Sequence, residues 1–279
     1  MAATECENVL RLLNDTTSDE AQLRIQIENL GGADWCRDFR IDPNLFPGLF
    51  VTGTLLHQLI FHRLRPVADG HRSLLLMRVL LKSGVPVNAT DDDGATVLHH
   101  AAGQSHSAVD FYMTHSGYDR VMNDKIRMMV VAGADLEAKD RHGNTPLLRA
   151  GIGGTSVPPT AIRELMTLGC NAAVTCSQGW SMLHYTACDR EDRELQKLLE
   201  LECIDIDHQS IVGDTAMHVS RIETLPLLLQ HGANMSLKNS DGHDVPALMD
   251  SLVKHGNVFY TSFATGMMTI WNDELRYRR

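Results

Sequence analysis

The chain has 279 residues, of which 22% are charged and 5% aromatic, and a net charge of −10 at neutral pH. Basic residues gather only at Arg276, Arg278 and Arg279, so nucleic acid is a poor partner on electrostatic grounds. No apolar run is long enough to span a bilayer, since Leu74 to Leu81 is cut by Arg78, and a membrane is not an expected partner. The six cysteines contain no C-x-x-C pair, which points to reduced thiols and an intracellular, cytoplasmic setting, with the nucleus also open.

In chain order, residues 1–47 come first and share no pattern with the rest of the chain. Glu5 to Leu13 and Asp19 to Leu30 each read as amphipathic helices, the second opened by Thr17 and Glu20 as a capping box, with Leu23, Ile27 and Leu30 on one face. The irregular apolar stretch Trp35 to Pro47 comes next. The segment reads as an N-terminal helical cap, the alternative being a separate functional arm.

From residue 48 a unit recurs. Its clearest copy runs through Gly133, closing the apolar helix pattern of Ile126, Met129, Val130 and Val131, then A-D-L-E-A-K-D-R-H-G-N-T-P-L over 134–147. D-R-H-G has turn chemistry, Thr145 is a natural N-cap, and Pro146 sits at the first helical position. Corresponding starts are G-T-L-L-H at Gly53, G-A-T-V-L-H at Gly94, G-W-S-M-L-H at Gly179, G-D-T-A-M-H at Gly213 and G-H-D-V-P-A at Gly242.

These motifs resemble the ankyrin repeat, whose signature is a β-turn, T-P-L-H-x-A and two helices. The resemblance covers roughly residues 48–255. It implies an all-α fold, an ankyrin-repeat solenoid of antiparallel helix pairs with short β-turn fingers, closed by a C-terminal capping segment over 256–279. Phe259, Tyr260, Phe263, Met267, Met268 and Trp271 belong to that last stretch and read as a seal on the last repeat, the alternative being a docking tail. A solenoid needs no single central core, so one elongated domain is expected.

The spacing is irregular. From Gly53 to Gly84, Gly94 to Gly133 and Gly143 to Gly169 the copies are longer than the family pattern, and from Gly213 to Gly232 shorter. The surplus falls at 64–70, 107–124 and 152–159, between the two helices of each copy, so the insertions share one edge. The middle insertion carries Phe111, Tyr112, Met113, Tyr118 and Met122, which either lengthen the helices and pack between them or serve as exposed anchors. A shortened first helix between Met217 and Thr224 is expected to kink the stack.

Catalytic chemistry finds little footing. His57, His99, His184 and His218 stand at the histidine of the signature, where the resemblance implies a structural imidazole. His184 and Cys188 are four residues apart on one predicted helix and form a conceivable dyad, but no orienting group or G-x-S-x-G turn accompanies them. There is no H-E-x-x-H, no zinc spacing and no G-x-x-x-x-G-K-[ST] loop, so neither cofactor nor metal is expected.

The resemblance therefore implies a non-catalytic protein–protein interaction scaffold or adaptor whose partner is another protein. Ankyrin arrays bind through the fingers and the exposed face of the first helices. Carried onto this chain, the fingers supply Asp92, Asp93, Arg141, His142, Asn144, Gln178, Trp180, Ile211, Val212 and Asp214. The helix face supplies His100, Gln104, Arg149, Tyr185 and Asp189. Trp180 and Tyr185 stand out, because large exposed aromatics are costly unless they anchor a partner or pack on a neighbouring finger. The competing reading is a substrate-recruiting or regulatory subunit of an enzyme complex that uses the insertion edge or the C-terminal tail.

Overall fold

In the computed structural model, the described residues are 17–32, 34–35, 53–61, 70–103, 115–152, 159–188, 192–201, 204–221 and 223–254. They carry twelve helices: α1 Glu20–Asn29, α2 Leu55–Phe61, α3 Gly70–Lys82, α4 Val97–Ala102, α5 His115–Val131, α6 Pro146–Ile152, α7 Pro159–Thr167, α8 Met182–Cys188, α9 Asp192–Leu199, α10 Ala216–Val219, α11 Leu225–Gln230 and α12 Val245–Lys254. The chain divides into two compact units, Met1–Val174 and Thr175–Arg279.

Each unit is built from antiparallel helix pairs. In the first unit these are α2/α3, α4/α5 and α6/α7. First helices stack on first helices through α2, α4 and α6, and second helices on second through α3, α5 and α7. The core between them is aliphatic and small, with Leu55, Leu59, Met77, Leu80, Leu98, Ile126, Met129 and Leu165 fully buried. In the second unit α8 pairs with α9 and stacks on α10, which packs on α12. Among the described residues there is no extended sheet, only isolated antiparallel bridges from Thr90 to Thr96 and from Thr175 to Ser181.

Short side-chain staples join consecutive turns. Asn88 donates through Nδ2 to the Gly133 carbonyl at 2.9 Å and accepts the Asp135 amide at 2.8 Å. Glu137 accepts the Asn171 amide at 2.7 Å, and in the second unit Asp207 accepts that of Asn234 at 2.8 Å.

Several local expectations hold. Leu148 donates its amide to Thr145 Oγ1, and Pro146 opens α6. The second half of the middle insertion is helix, since α5 begins at His115 and buries Met122. Residues 104–114, which include Phe111, Tyr112 and Met113, lie outside the described residues. So do most of the other two insertions, the N-terminal helix at 5–13 and the segment 255–279.

Others are corrected. Helix α1 is capped by Asp19 and Gln22, not by Thr17 and Glu20. The Asp19 carboxylate accepts the Gln22 amide and Gln22 Oε1 accepts that of Asp19, each at 2.8 Å. Glu20 is drawn away by Arg24 and by Lys82 of α3, at 2.9 and 3.0 Å. Leu23 and Ile27 of α1 are buried, whereas Leu30 is only half-buried. At the end of α5, Val131 is 89% exposed because the buried stripe runs through Ile126 and Met129 and the helix turns Val131 outward. The expected short helix in the fifth copy is the single turn of α10. The chain after it bonds back to the end of α8, with the Arg221 amide and the Thr224 hydroxyl both donating to the Ala187 carbonyl.

Candidate interaction surface on fingers and first helices

The surface rests on a frame of histidines. Thr96 precedes α4, and its backbone amide and hydroxyl both lie within hydrogen-bond distance of His99 Nδ1, at 3.0 and 2.9 Å. Because the backbone amide can only donate, Nδ1 is the acceptor and the ring proton sits on Nε2. Nε2 then donates to the Asn144 carbonyl in the next repeat at 2.9 Å. The imidazole thus takes the part usually played by the acid of a capping box while tying two repeats together. Thr54 and His57 repeat the arrangement toward Ala95, Ser181 and His184 toward Asp214, and Thr215 and His218 toward His243. Burial lowers the pKa of His99 and His184, even though the backbone carbonyl each ring contacts acts to raise it.

These roles dispose of the dyad. Both nitrogens of His184 are engaged, and the Cys188 thiol donates instead to the Val219 carbonyl at 3.2 Å. Cys170 is pushed up to about 12, chiefly by burial, so its thiol stays protonated and poorly nucleophilic at neutral pH.

Each finger is then built the same way. Its first residue accepts, through its carbonyl, the amide of the glycine three positions on: Asp91 from Gly94, Asp140 from Gly143, Cys176 from Gly179, Ser210 from Gly213 and Asn239 from Gly242. In three of the fingers the same residue's side chain accepts further pairs of amides. Asp91 Oδ1 takes those of Asp93 and Ala95, Asp140 Oδ1 those of His142 and Asn144, and Asn239 Oδ1 those of Asp241 and His243. Each glycine holds a positive φ, between +70° and +79°, a region where L side chains are strained. Neighbouring fingers are linked through the backbone: Arg141 N to Asp93 O, Ile211 N to Gln178 O and Ser240 N to Val212 O. Sequence reasoning missed the amide-accepting residue at the head of each finger. Its signal is visible in the sequence at four of the five fingers, an Asp, Asn or Ser three places before a turn glycine, with Cys176 the exception.

In the first unit, Asp92, Asp93, Arg141 and His142 are exposed at the tips, and Arg141 forms an ion pair with Asp93. On the helix face, His100 meets Asp91 Oδ2 through Nε2 at 2.6 Å, and Arg149 donates to Asp140 Oδ2 at 3.3 Å. Burial holds the His100 pKa low despite Asp91. Two expectations need correction here. Asn144 is only 3% exposed, with its side-chain amide on the Asp140 carboxylate, so its side chain serves the finger and is not presented at the surface. The His100 side chain is largely covered by its pairing with Asp91. Gln104 lies outside the described residues.

In the second unit the same positions change chemistry. Tyr185 takes the helix-face position held by Arg149, and Trp180 leans over it, with ring centroids 5.2 Å apart and 5.6 Å from Trp180 to His184. Both aromatics are half-exposed. Trp180 therefore packs on the first helix of its own repeat, through Tyr185 and His184. Ile211 and Val212 form the next fingertip and are 68% and 52% exposed. Gln178 is exposed beside them, and Asp214 is half-buried with its carboxylate on Asn239 Nδ2 at 2.9 Å. Asp189 lies outside the described residues.

Comparison with known proteins agrees with this architecture. Residues 56–111 match the family described as Ankyrin repeats (many copies). Two curated relatives from variola virus, both named Ankyrin repeat protein OPG189, are 22% identical over 164 residues; the match covers 58% of this chain and 27% of theirs. The chain thus spans about a quarter of the length of those relatives. Among solved structures, the ankyrin repeat domain of Bcl-3, a member of the IkappaB protein family, superposes with a TM-score of 0.60 at 19% identity. That match covers 86% of this chain and 92% of the other.

Proposed function

Because the chain is an ankyrin-repeat protein, we propose that it is a non-catalytic scaffold that binds another protein through its fingers and first-helix face. Ankyrin repeats are in general protein–protein interaction modules. The observation that carries the reading is the apolar face of the second unit, where the Ile211 and Val212 tip stands with the half-exposed Trp180 and Tyr185. Burying such aromatics and aliphatics against a partner is what supplies most of the energy of a protein interface. In the first unit Asp92, Asp93, Arg141, His142 and Arg149 offer charged groups of the kind that set orientation and association rate.

The experiment is an affinity capture from cell lysate with mass-spectrometric identification, run with the parent chain, with Trp180→Ala/Tyr185→Ala and with Asp92→Ala/His142→Ala. All three are first matched for helicity by circular dichroism. A partner bound by the parent, lost with the aromatic variant and retained with the second is expected. Equal capture by parent and aromatic variant refutes the assignment of the face.

A further inference from the structure

We infer that the fingertip Ile211 and Val212 receives a partner segment in which an aliphatic or aromatic side chain lies next to a lysine or arginine. This deepens the scaffold reading of the same face and rests on it. The argument begins with an internal comparison. Five fingers share one backbone scheme, and four carry polar pairs at the two tip positions: Asp92 and Asp93, Arg141 and His142, Ser177 and Gln178, Ser240 and Asp241. Only the Ser210 to Asp214 finger places β-branched aliphatics there, and both stand in solvent.

Folding gives no reason for that choice. The backbone bonds of this tip, Gly213 N to Ser210 O, Ile211 N to Gln178 O and Ser240 N to Val212 O, involve no side chain, and turn positions ordinarily favour polar residues. Adjacent exposed apolar side chains on a backbone scheme that four sister fingers build with polar ones point to a contact.

Charge then selects the partner. The turns of the second unit carry the carboxylates of Asp205, Asp207, Asp214, Asp241 and Asp244, against Lys238 as the one lysine or arginine among the described residues of those turns. The hydrogen bonds these carboxylates accept come from neutral amides: Asp207 N on Asp205, Asn234 N on Asp207, Asn239 Nδ2 on Asp214 and Ala247 N on Asp244. An amide satisfies an oxygen without cancelling its charge, so Asp214, two residues from Val212, and Asp241, next to the Ser240 that bonds Val212, form a negative rim beside the apolar tip. Its complement is an apolar anchor with a cation beside it. The same rim repels phosphate backbones and anionic lipid, which favours a polypeptide.

The test is selection of a displayed library of random 12-residue peptides on the intact chain. Two variants serve as counter-baits, Ile211→Asp/Val212→Asp and Asp241→Lys. The first reproduces the Asp pair of a sister finger and the second reverses a charge at an exposed tip position, so both should fold, as circular dichroism would confirm. Peptides enriched on the parent are expected to place Lys or Arg within two residues of Leu, Ile or Phe and to bind each variant at least tenfold more weakly. Enrichment of acidic or uncharged peptides, equal binding to the aliphatic-to-Asp variant, or no enrichment at all overturns the inference. If the lysate partner is still lost with Trp180→Ala/Tyr185→Ala while selected peptides lack basic residues, the scaffold reading stands and this one falls.

Discussion

Replacing His184 by leucine tests the histidine frame directly. Leucine keeps the apolar volume of a fully buried ring but removes three contacts: Ser181 N at 3.2 Å, Ser181 Oγ at 2.9 Å and the Asp214 carbonyl at 2.9 Å. The Ser181 hydroxyl can rotate to another acceptor, whereas the backbone amide and the carbonyl are fixed. Each fixed group left unpaired costs about 1–3 kcal/mol, so the variant should lose about 3 kcal/mol, a urea midpoint shift on the order of 1–2 M. The readout is urea unfolding followed by circular dichroism, beside His142→Leu, whose exposed fingertip position should keep it within about 0.5 kcal/mol of the parent.

The pH dependence supplies a second arm. The folded pKa of His184 is lowered, chiefly by burial, while the unfolded ring titrates near 6.5. Below that pH the unfolded chain takes up a proton that the folded chain refuses. The histidine's contribution is therefore complete above about pH 6.5 and drains away on acidification toward the folded value. The leucine variant should show a shallower loss than the parent between pH 7.5 and 5. A cost under about 1 kcal/mol, or an unchanged acid slope, would refute the frame as the source of stability.

Lys125 titrates in the same sense, in a higher pH window. It is buried on α5, donates to the Leu59 carbonyl in the last turn of α2 at 3.1 Å, and burial lowers its pKa to about 8. The unfolded chain holds that proton up to about pH 10.4, so the parent should gain about 3 kcal/mol relative to Lys125→Met between pH 8 and 10.5 in chemical denaturation. A flat difference across that window would contradict the buried cation. Gly213→Ala and Gly242→Ala separate strain from collision, since both glycines hold positive φ but only a Cβ at Gly213 meets backbone, 2.9 Å from Ser240 N. Thermal melts should show a loss of about 1 kcal/mol at Gly242 and roughly 3 kcal/mol at Gly213. Asn144→Ala should lower stability by about 1–2 kcal/mol through its bond to Asp140 while leaving partner affinity unchanged in a titration.

The repeat was legible because its determinants are local. Thr96 with His99, Thr215 with His218 and the turn glycines act within four residues, so they survive in a one-dimensional string. Exposure was not legible in the same way. Asn144 and His142 sit two apart in one finger, and only the fold shows that one turns in toward Asp140 while the other faces solvent. Nothing local to Lys125 marks it as buried, because its partner is the Leu59 carbonyl of α2, more than 60 positions away. Val131 failed for a related reason: apolar spacing predicts a stripe, but the stripe runs through Ile126 and Met129 and leaves Val131 facing outward. The Ile211 and Val212 tip was named from the family pattern, and its departure from the other fingers emerged only once their shared hydrogen bonds could be laid side by side.

That shared backbone scheme also makes the fingertips interchangeable. Since the head residue, the glycine and the backbone hold the loop, the side chains of the two residues between them carry little of the fold and can vary like the bits of a key on a fixed blade. A chain of this kind can change what it recognises by a two-residue exchange at one tip without renegotiating its core. Transplanting Ile211 and Val212 onto the Ser240 and Asp241 tip, or Arg141 and His142 onto theirs, is thus a direct way to redirect it.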